Sequence, residues 1–193
     1  VPDDGLVAYL LRRGVISLRD REETAKRLLS NKRVGTILRE MGVLDDEDLA
    51  LTVREQLCEI VTRVMRGRGR FRQSVAESSF DAWTRFYKQD ENAPNAIVSY
   101  YAKGALVALG LDMLLRDASD DSVTLDDLMR ALWHRYGKPD IGVPEDGIAT
   151  LAAELAGRSL DDFFQLRIWF AIAVDEPRVL AVLFSGDLLR SID

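Results

Sequence analysis

The chain has 193 residues, enough for one domain of fair size or two small ones, and its 47% of hydrophobic residues can fill a core. Charged residues make up 30% with both signs interspersed, which excludes a disordered chain, and the net charge of -6 argues against generic binding to nucleic acid or anionic membranes. One cysteine, Cys58, excludes an internal disulfide, and one histidine, His134, excludes an H-E-x-x-H motif or a Cys/His zinc site built from these residues.

The opening Val1-Pro2-Asp3-Asp4 is acidic, and the apolar residues after it are broken by Arg12-Arg13, so no secretory leader is expected. The absence of an initial methionine fits a fragment or a processed product. No unbroken apolar run approaches the roughly 18 residues that span a bilayer, so no membrane span is expected and a cytoplasmic location is favoured.

Residues 5–72 read as helices. Leucines and Val7 recur at helical spacing over 5–13, Gly14 is placed to end that helix, and Ser17 to cap the next, 18–30. The pattern returns 28 residues later: Leu10-Leu11-Arg12-Arg13-Gly14-Val15-Ile16-Ser17 aligns with Leu38-Arg39-Glu40-Met41-Gly42-Val43-Leu44-Asp45. Each copy is a helix, a glycine stop, a two-residue apolar connector, a capping residue and a second helix, a repeated helical hairpin able to pack as a four-helix unit.

Arg63, Arg66, Arg68, Arg70 and Arg72 follow, with Gly67 and Gly69 between them. Arginine forks beside glycines suit an anion, which makes Arg66, Arg68 and Arg70 candidate anion-binding residues; a solvated basic turn is the simpler alternative. Residues 75–87 read as helical with Phe80, Trp83 and Phe86/Tyr87 on one side, and a polar loop leads to Asn95 as a possible cap. Residues 97–116 form a helix apolar on nearly every side, which predicts burial. Three shorter helices follow, starting at Thr124-Leu125-Asp126-Asp127, Pro144-Glu145-Asp146 and Ser159-Leu160-Asp161-Asp162. Their paired carboxylates sit where the helix dipole favours negative charge, which accounts for them without acid-base chemistry. The tail, with Ile168-Trp169-Phe170 and Val179-Leu180-Ala181-Val182, is rich in β-forming residues, and a hairpin around Asp175-Glu176-Pro177 is expected.

The predicted fold is therefore mainly α: a helical bundle in two parts (1–72 and 73–165) with a small C-terminal β element (166–193). Two resemblances bear on function. Lys32-Arg33-Val34-Gly35-Thr36-Ile37-Leu38-Arg39-Glu40-Met41-Gly42-Val43-Leu44 resembles the helical N-terminal domain of type II secretion and type IV pilus assembly ATPases, which implies an interaction module without catalytic residues over 5–72. Gly67-Arg68-Gly69-Arg70-Phe71, Ser78-Ser79-Phe80-Asp81-Ala82-Trp83, Tyr100-Tyr101-Ala102-Lys103-Gly104 and Leu160-Asp161-Asp162-Phe163-Phe164 resemble the glycyl aminopeptidase family of zinc metallopeptidases over 67–165.

The second resemblance implies that Tyr101, the tyrosine of a Tyr-x-Lys-Gly pattern, donates to the oxyanion of a tetrahedral intermediate. It implies that the zinc ligands lie on a helix these residues do not include. Asp4 weakly resembles the position of the third ligand. The expected function is a peptidase-derived helical domain, not catalytic alone, with no metal or other cofactor of its own. Its expected partner is another protein chain, with a peptide substrate where that chain completes the site, and no nucleic acid. The alternative is a non-enzymatic interaction or signalling module that binds an anionic nucleotide.

Overall fold

Two glycines set the architecture of the first part of the chain. In the computed structural model, which describes residues 5–28 and 32–164, Gly14 and Gly42 have φ of +72° and +66°, the left-handed conformation that ends a helix at least cost to glycine. At the first, Val15 N–H donates to Leu10 O and Gly14 N–H to Leu11 O; at the second, Val43 donates to Leu38 and Gly42 to Arg39. The 28-residue repeat thus has one backbone solution, and it turns Ile16 and Leu44 inward, each 4% exposed.

The first helical pair is α1 (Gly5–Arg12) and α2 (Leu18–Arg27); the second is α3 (Val34–Glu40) and α4 (Asp46–Arg66). Ser17 and Asp20 form a reciprocal capping box at the start of α2, while Asp45 Oδ1 accepts from Asp48 N–H at the start of α4. Val7, Leu10, Ile16, Leu38, Leu44 and Leu49 close into one apolar cluster. Burial of a leucine-sized side chain contributes roughly 1.5–3 kcal/mol, and Leu10 and Leu38 are fully buried.

Contacts divide the described residues into two units at Glu59/Ile60, inside α4. The second unit carries a 3-10 turn (Arg68–Phe71), α5 (Val75–Phe80), a π-helical turn (Ala82–Phe86), α6 (Ala93–Ala96), α7 (Tyr100–Ala118), α8 (Leu125–Leu132), a second π-helical turn (Trp133–Gly137), α9 (Gly147–Ala156) and α10 (Asp161–Phe164). Helix α7 packs on α5, α8 and α9. Leu111 and Leu115 of α7 join Leu128, Leu151, Ala152, Ala156, Leu160 and Phe164 in the core of this unit.

The fold is mainly α, as the periodicity predicts, and no strand occurs among the described residues. The expected β element at 166–193 lies outside them, as does Asp4. Averaged over its length, Ala93–Ala118 is long and apolar enough to cross a bilayer, although no unbroken apolar run reaches that length. Within the unit, this segment buries Leu106, Leu111 and Leu115 and the charged Lys103.

Candidate functional site

The entry to α7 is held by polar groups that the apolar pattern of the helix does not reveal. Ser99 caps it, accepting from Ala102 N–H at 3.2 Å. Gln73 Oε1 accepts from Val98 N–H at 3.2 Å, and Ser78 Oγ donates to Val98 O. The start of α7 is therefore tied to the chain around α5, and α7 begins at Tyr100, three residues later than the apolar run suggests.

Lys103 completes this stitching. It is fully buried, and its Nζ donates to Arg70 O at 3.2 Å and Gln73 O at 3.1 Å. Burial pushes its pKa down from 10.5 to about 8, against the opposing pull of the Glu77 carboxylate. A neutral amine still offers two N–H groups to two carbonyls, so deprotonation keeps both bonds and removes the cost of a buried charge. Between about pH 8 and 10.5 the unfolded chain binds more protons at this group than the folded one does. Its contribution to stability therefore rises with pH through that window and is lost as pH falls through 8. The pH-dependent part is on the order of 3 kcal/mol. Lys103→Met, which leaves two buried carbonyls without a donor, is expected to destabilise by about 1–3 kcal/mol at pH 7. Urea unfolding of both proteins at pH 7 and pH 10 should show that penalty growing with pH, and a penalty that shrinks would contradict the assignment.

The arginine-glycine turn is built around the same segment. A Cβ on Gly69 would lie 1.8 Å from Ile97 O, so the turn and the Ile97 backbone meet at a separation only glycine allows. Arg70 Nη1 donates to Met65 O at 2.7 Å and Gly67 O at 3.0 Å, capping the C-terminal end of α4. The Arg70 guanidinium lies 3.9 Å over the Phe71 ring, and its buried Nε has no hydrogen-bond partner.

The first two residues of α7, Tyr100 and Tyr101, meet the π-helical turn. In that turn Tyr87 N–H reaches back to Ala82 O at 3.0 Å, which breaks the helix expected over 75–87 and leaves Phe80 and Trp83 exposed. Tyr87 Oη lies 3.0 Å from Tyr101 Oη and 3.2 Å from Tyr100 Oη. Phe86 stands edge-on to Tyr100 and Tyr101 at 5.3 and 6.0 Å, and the rings of Tyr100 and Tyr101 lie 4.1 Å apart. The Tyr101 side chain is 61% exposed, so its hydroxyl stands at an open surface and not in the core.

The hydroxyls of Tyr100 and then Tyr87 stabilise the Tyr101 phenolate and pull its pKa below the ordinary tyrosine value, while Tyr100 is pushed up by the same neighbours, Tyr101 first. Hydrogen-bond geometry favours Tyr87 as the partner of both, since the two bonds that meet distance and angle run to it. Tyr101 is therefore a more acidic donor than an isolated phenol, placed at the positive end of a 19-residue helix where negative charge is favoured.

Beside this cluster is a cleft of about 340 Å³ lined by Arg63, Arg66, Arg70, Phe86, Gln89 and Ser99, among others. Of the predicted anion-binding residues it brings together Arg66 and Arg70; Arg68 does not line it, and Arg63 does. The sequence also offered Tyr87 and Tyr100 only as aromatics. Among the described residues no group of three or more His, Cys, Asp or Glu is arranged to hold a metal ion, so the zinc that the resemblance implies does not fit these residues.

The model of the M61 glycyl aminopeptidase family matches residues 35–107, which include Arg70, Tyr101, Lys103 and Gly104. Among solved structures, the chain is similar to an aminopeptidase N family protein from Idiomarina loihiensis, with 42% identity and a TM-score of 0.64 over 75% of this chain and 24% of that one. The chain thus spans about a quarter of that protein's length. No curated protein matches it. The aminopeptidase match reaches back to Gly35, inside the segment that resembles secretion ATPases, and no comparison supports the secretion-ATPase resemblance.

Proposed function

We propose that these residues form the helical, oxyanion-side part of a glycyl aminopeptidase-like site whose metal-binding part is supplied by other polypeptide. Tyr101 is the donor to the developing oxyanion of a peptide substrate. Lys103, although part of the same Tyr-x-Lys-Gly pattern, is a positioning residue that fixes the start of α7. The observation that carries this reading is the exposed Tyr101 hydroxyl, held by Tyr87 at the N-terminus of α7. A phenol suits the task because it donates a proton in a hydrogen bond without carrying charge in the ground state. The similarity to aminopeptidases across 35–107 supports it, and the single histidine of the chain supports a metal half built elsewhere.

The test is a chimaera in which these residues replace the matching quarter of the Idiomarina loihiensis protein. The chimaera is expected to hydrolyse a glycyl p-nitroanilide wherever the parent protein does, and the 193-residue chain alone is expected to bind no stoichiometric zinc and show no turnover. Zinc-dependent turnover by the isolated chain would overturn the divided site. A folded chimaera without turnover, beside an active parent, would overturn the peptidase reading.

A further inference from the structure

We propose that the cleft beside the tyrosine cluster is a carboxylate-binding subsite that takes the free C-terminal carboxylate of a short peptide. The inference rests on the peptidase reading for its occupant, but its physical basis is separate. Three arginines, Arg63, Arg66 and Arg70, line one cleft, and no Asp or Glu lines it. In a chain with 32 acidic and 26 basic residues this is a local inversion of the charge balance.

The end of α4 does not account for all three. Arginines in a last turn complement the helix dipole, but Arg70 already covers the terminal carbonyls of Met65 and Gly67. Among the described residues, Arg63 and Arg66 have neither a hydrogen-bond nor an ion-pair partner. Arg70 Nε is the one buried side-chain donor left without an acceptor among them. An acceptor arriving in the cleft supplies what the exposed Arg63 and Arg66 side chains lack.

The rest of the lining narrows the ligand class. Phe86 and apolar residues such as Pro94 and Ile97 share the wall with Gln89 and Ser99. An arginine pair can hold a carboxylate by bidentate hydrogen bonds, and the apolar wall beside it suits the amino-acid residue that carries that carboxylate. The cleft also adjoins the candidate donor. Phe86 forms part of its wall and packs edge-on against Tyr101, and Ser99 both lines it and caps the helix that presents Tyr101. A peptide with its scissile carbonyl at Tyr101 and its C-terminal residue in this cleft would present its carboxylate to the arginines. Selection for short peptides with a free C-terminus follows.

Binding to the 193-residue chain tests this without any turnover. An N-acetylated tripeptide and its C-terminal amide are titrated by NMR against the wild-type chain and against an Arg63→Gln/Arg66→Gln variant. Wild-type protein is expected to bind the free acid about tenfold more tightly than the amide, and the variant to lose that difference, as the removal of charge-assisted hydrogen bonds requires. Both substitutions are at exposed positions, and the dispersion of the amide spectrum verifies that the variant folds. Equal affinity for acid and amide, or no binding of either, overturns the subsite. Tighter binding of inorganic phosphate or cyclic di-GMP than of the peptide overturns it too, and assigns the arginines to a phosphate ligand. Failure of the peptidase reading looks different: peptide acid binds as expected while the chimaera described above turns nothing over.

Discussion

Gly69→Ala is expected to be the most destabilising single-methyl addition in the second unit, lowering stability by about 3–5 kcal/mol. The added Cβ would lie 1.8 Å from Ile97 O, 2.3 Å from Ile97 C and 2.7 Å from Ile97 N. All three are backbone atoms, so no side-chain rotation relieves the clash. The turn must withdraw, and with it goes the Arg70 carbonyl that Lys103 holds and the Gln73 side chain that receives Val98 N–H. Against the roughly 5–15 kcal/mol that keeps a domain folded, the loss is large enough to lower the urea midpoint by a third or more. Two neighbouring glycines serve as controls. A Cβ on Gly67 meets Pro94 O at 3.1 Å, a tight contact with a milder cost. A Cβ on Gly104 meets nothing closer than Val75 Cγ1 at 3.9 Å, so Gly104→Ala in the helix interior is expected to stabilise by about 0.5–1 kcal/mol. If Gly69→Ala and Gly104→Ala shift the midpoint equally, the close approach of turn and strand-like Ile97 backbone is wrong.

The contrast between these glycines shows what the sequence could and could not reveal. The stops at Gly14 and Gly42 were legible because local chemistry decides them: a glycine after an apolar helix, then a capping residue, repeated at a fixed spacing. The capping boxes at Ser17 and Thr124 are of the same kind, each written within four residues. The arginine-glycine turn was legible only as an unusual composition. That Gly69 faces Ile97, and that Arg70 returns to the carbonyls of α4, depends on contacts between segments, and no pattern within the turn encodes them. Helical periodicity likewise placed Phe80, Trp83 and Tyr87 on one stripe. It could not reveal the π-helical turn, which leaves Phe80 and Trp83 in solvent, keeps Trp83 against Tyr87 and brings Tyr87 to Tyr101. Lys103 is the sharpest instance. Beside a tyrosine in a short motif, a lysine looks chemical, yet it is fully buried on two backbone carbonyls. Tyr101, two residues earlier in the same motif, does stand at the surface, because residues two apart on a helix point about 200° apart, to opposite faces.

In the chimaera, Tyr101→Phe is expected to lower kcat by about 100- to 1000-fold with little change in KM, the cost of losing one donor to a developing oxyanion. The fold should be unaffected, since the hydroxyl is at an open surface and its hydrogen bond runs to another exposed phenol, Tyr87. The pH dependence separates a donor from a merely structural ring. Tyr101 donates only while protonated, so activity falls as pH rises through its pKa, which the neighbouring hydroxyls of Tyr100 and Tyr87 hold below the ordinary tyrosine value. Removing either neighbour, by Tyr100→Phe or Tyr87→Phe, must raise that pKa and move the basic limb of the kcat profile to higher pH. Both variants keep the donor itself, so each should retain most of the rate at neutral pH, where Tyr101→Phe does not. If the basic limb stays in place in both, and Tyr101→Phe retains wild-type kcat, the tyrosine cluster is packing at the head of α7 and the oxyanion donor lies elsewhere.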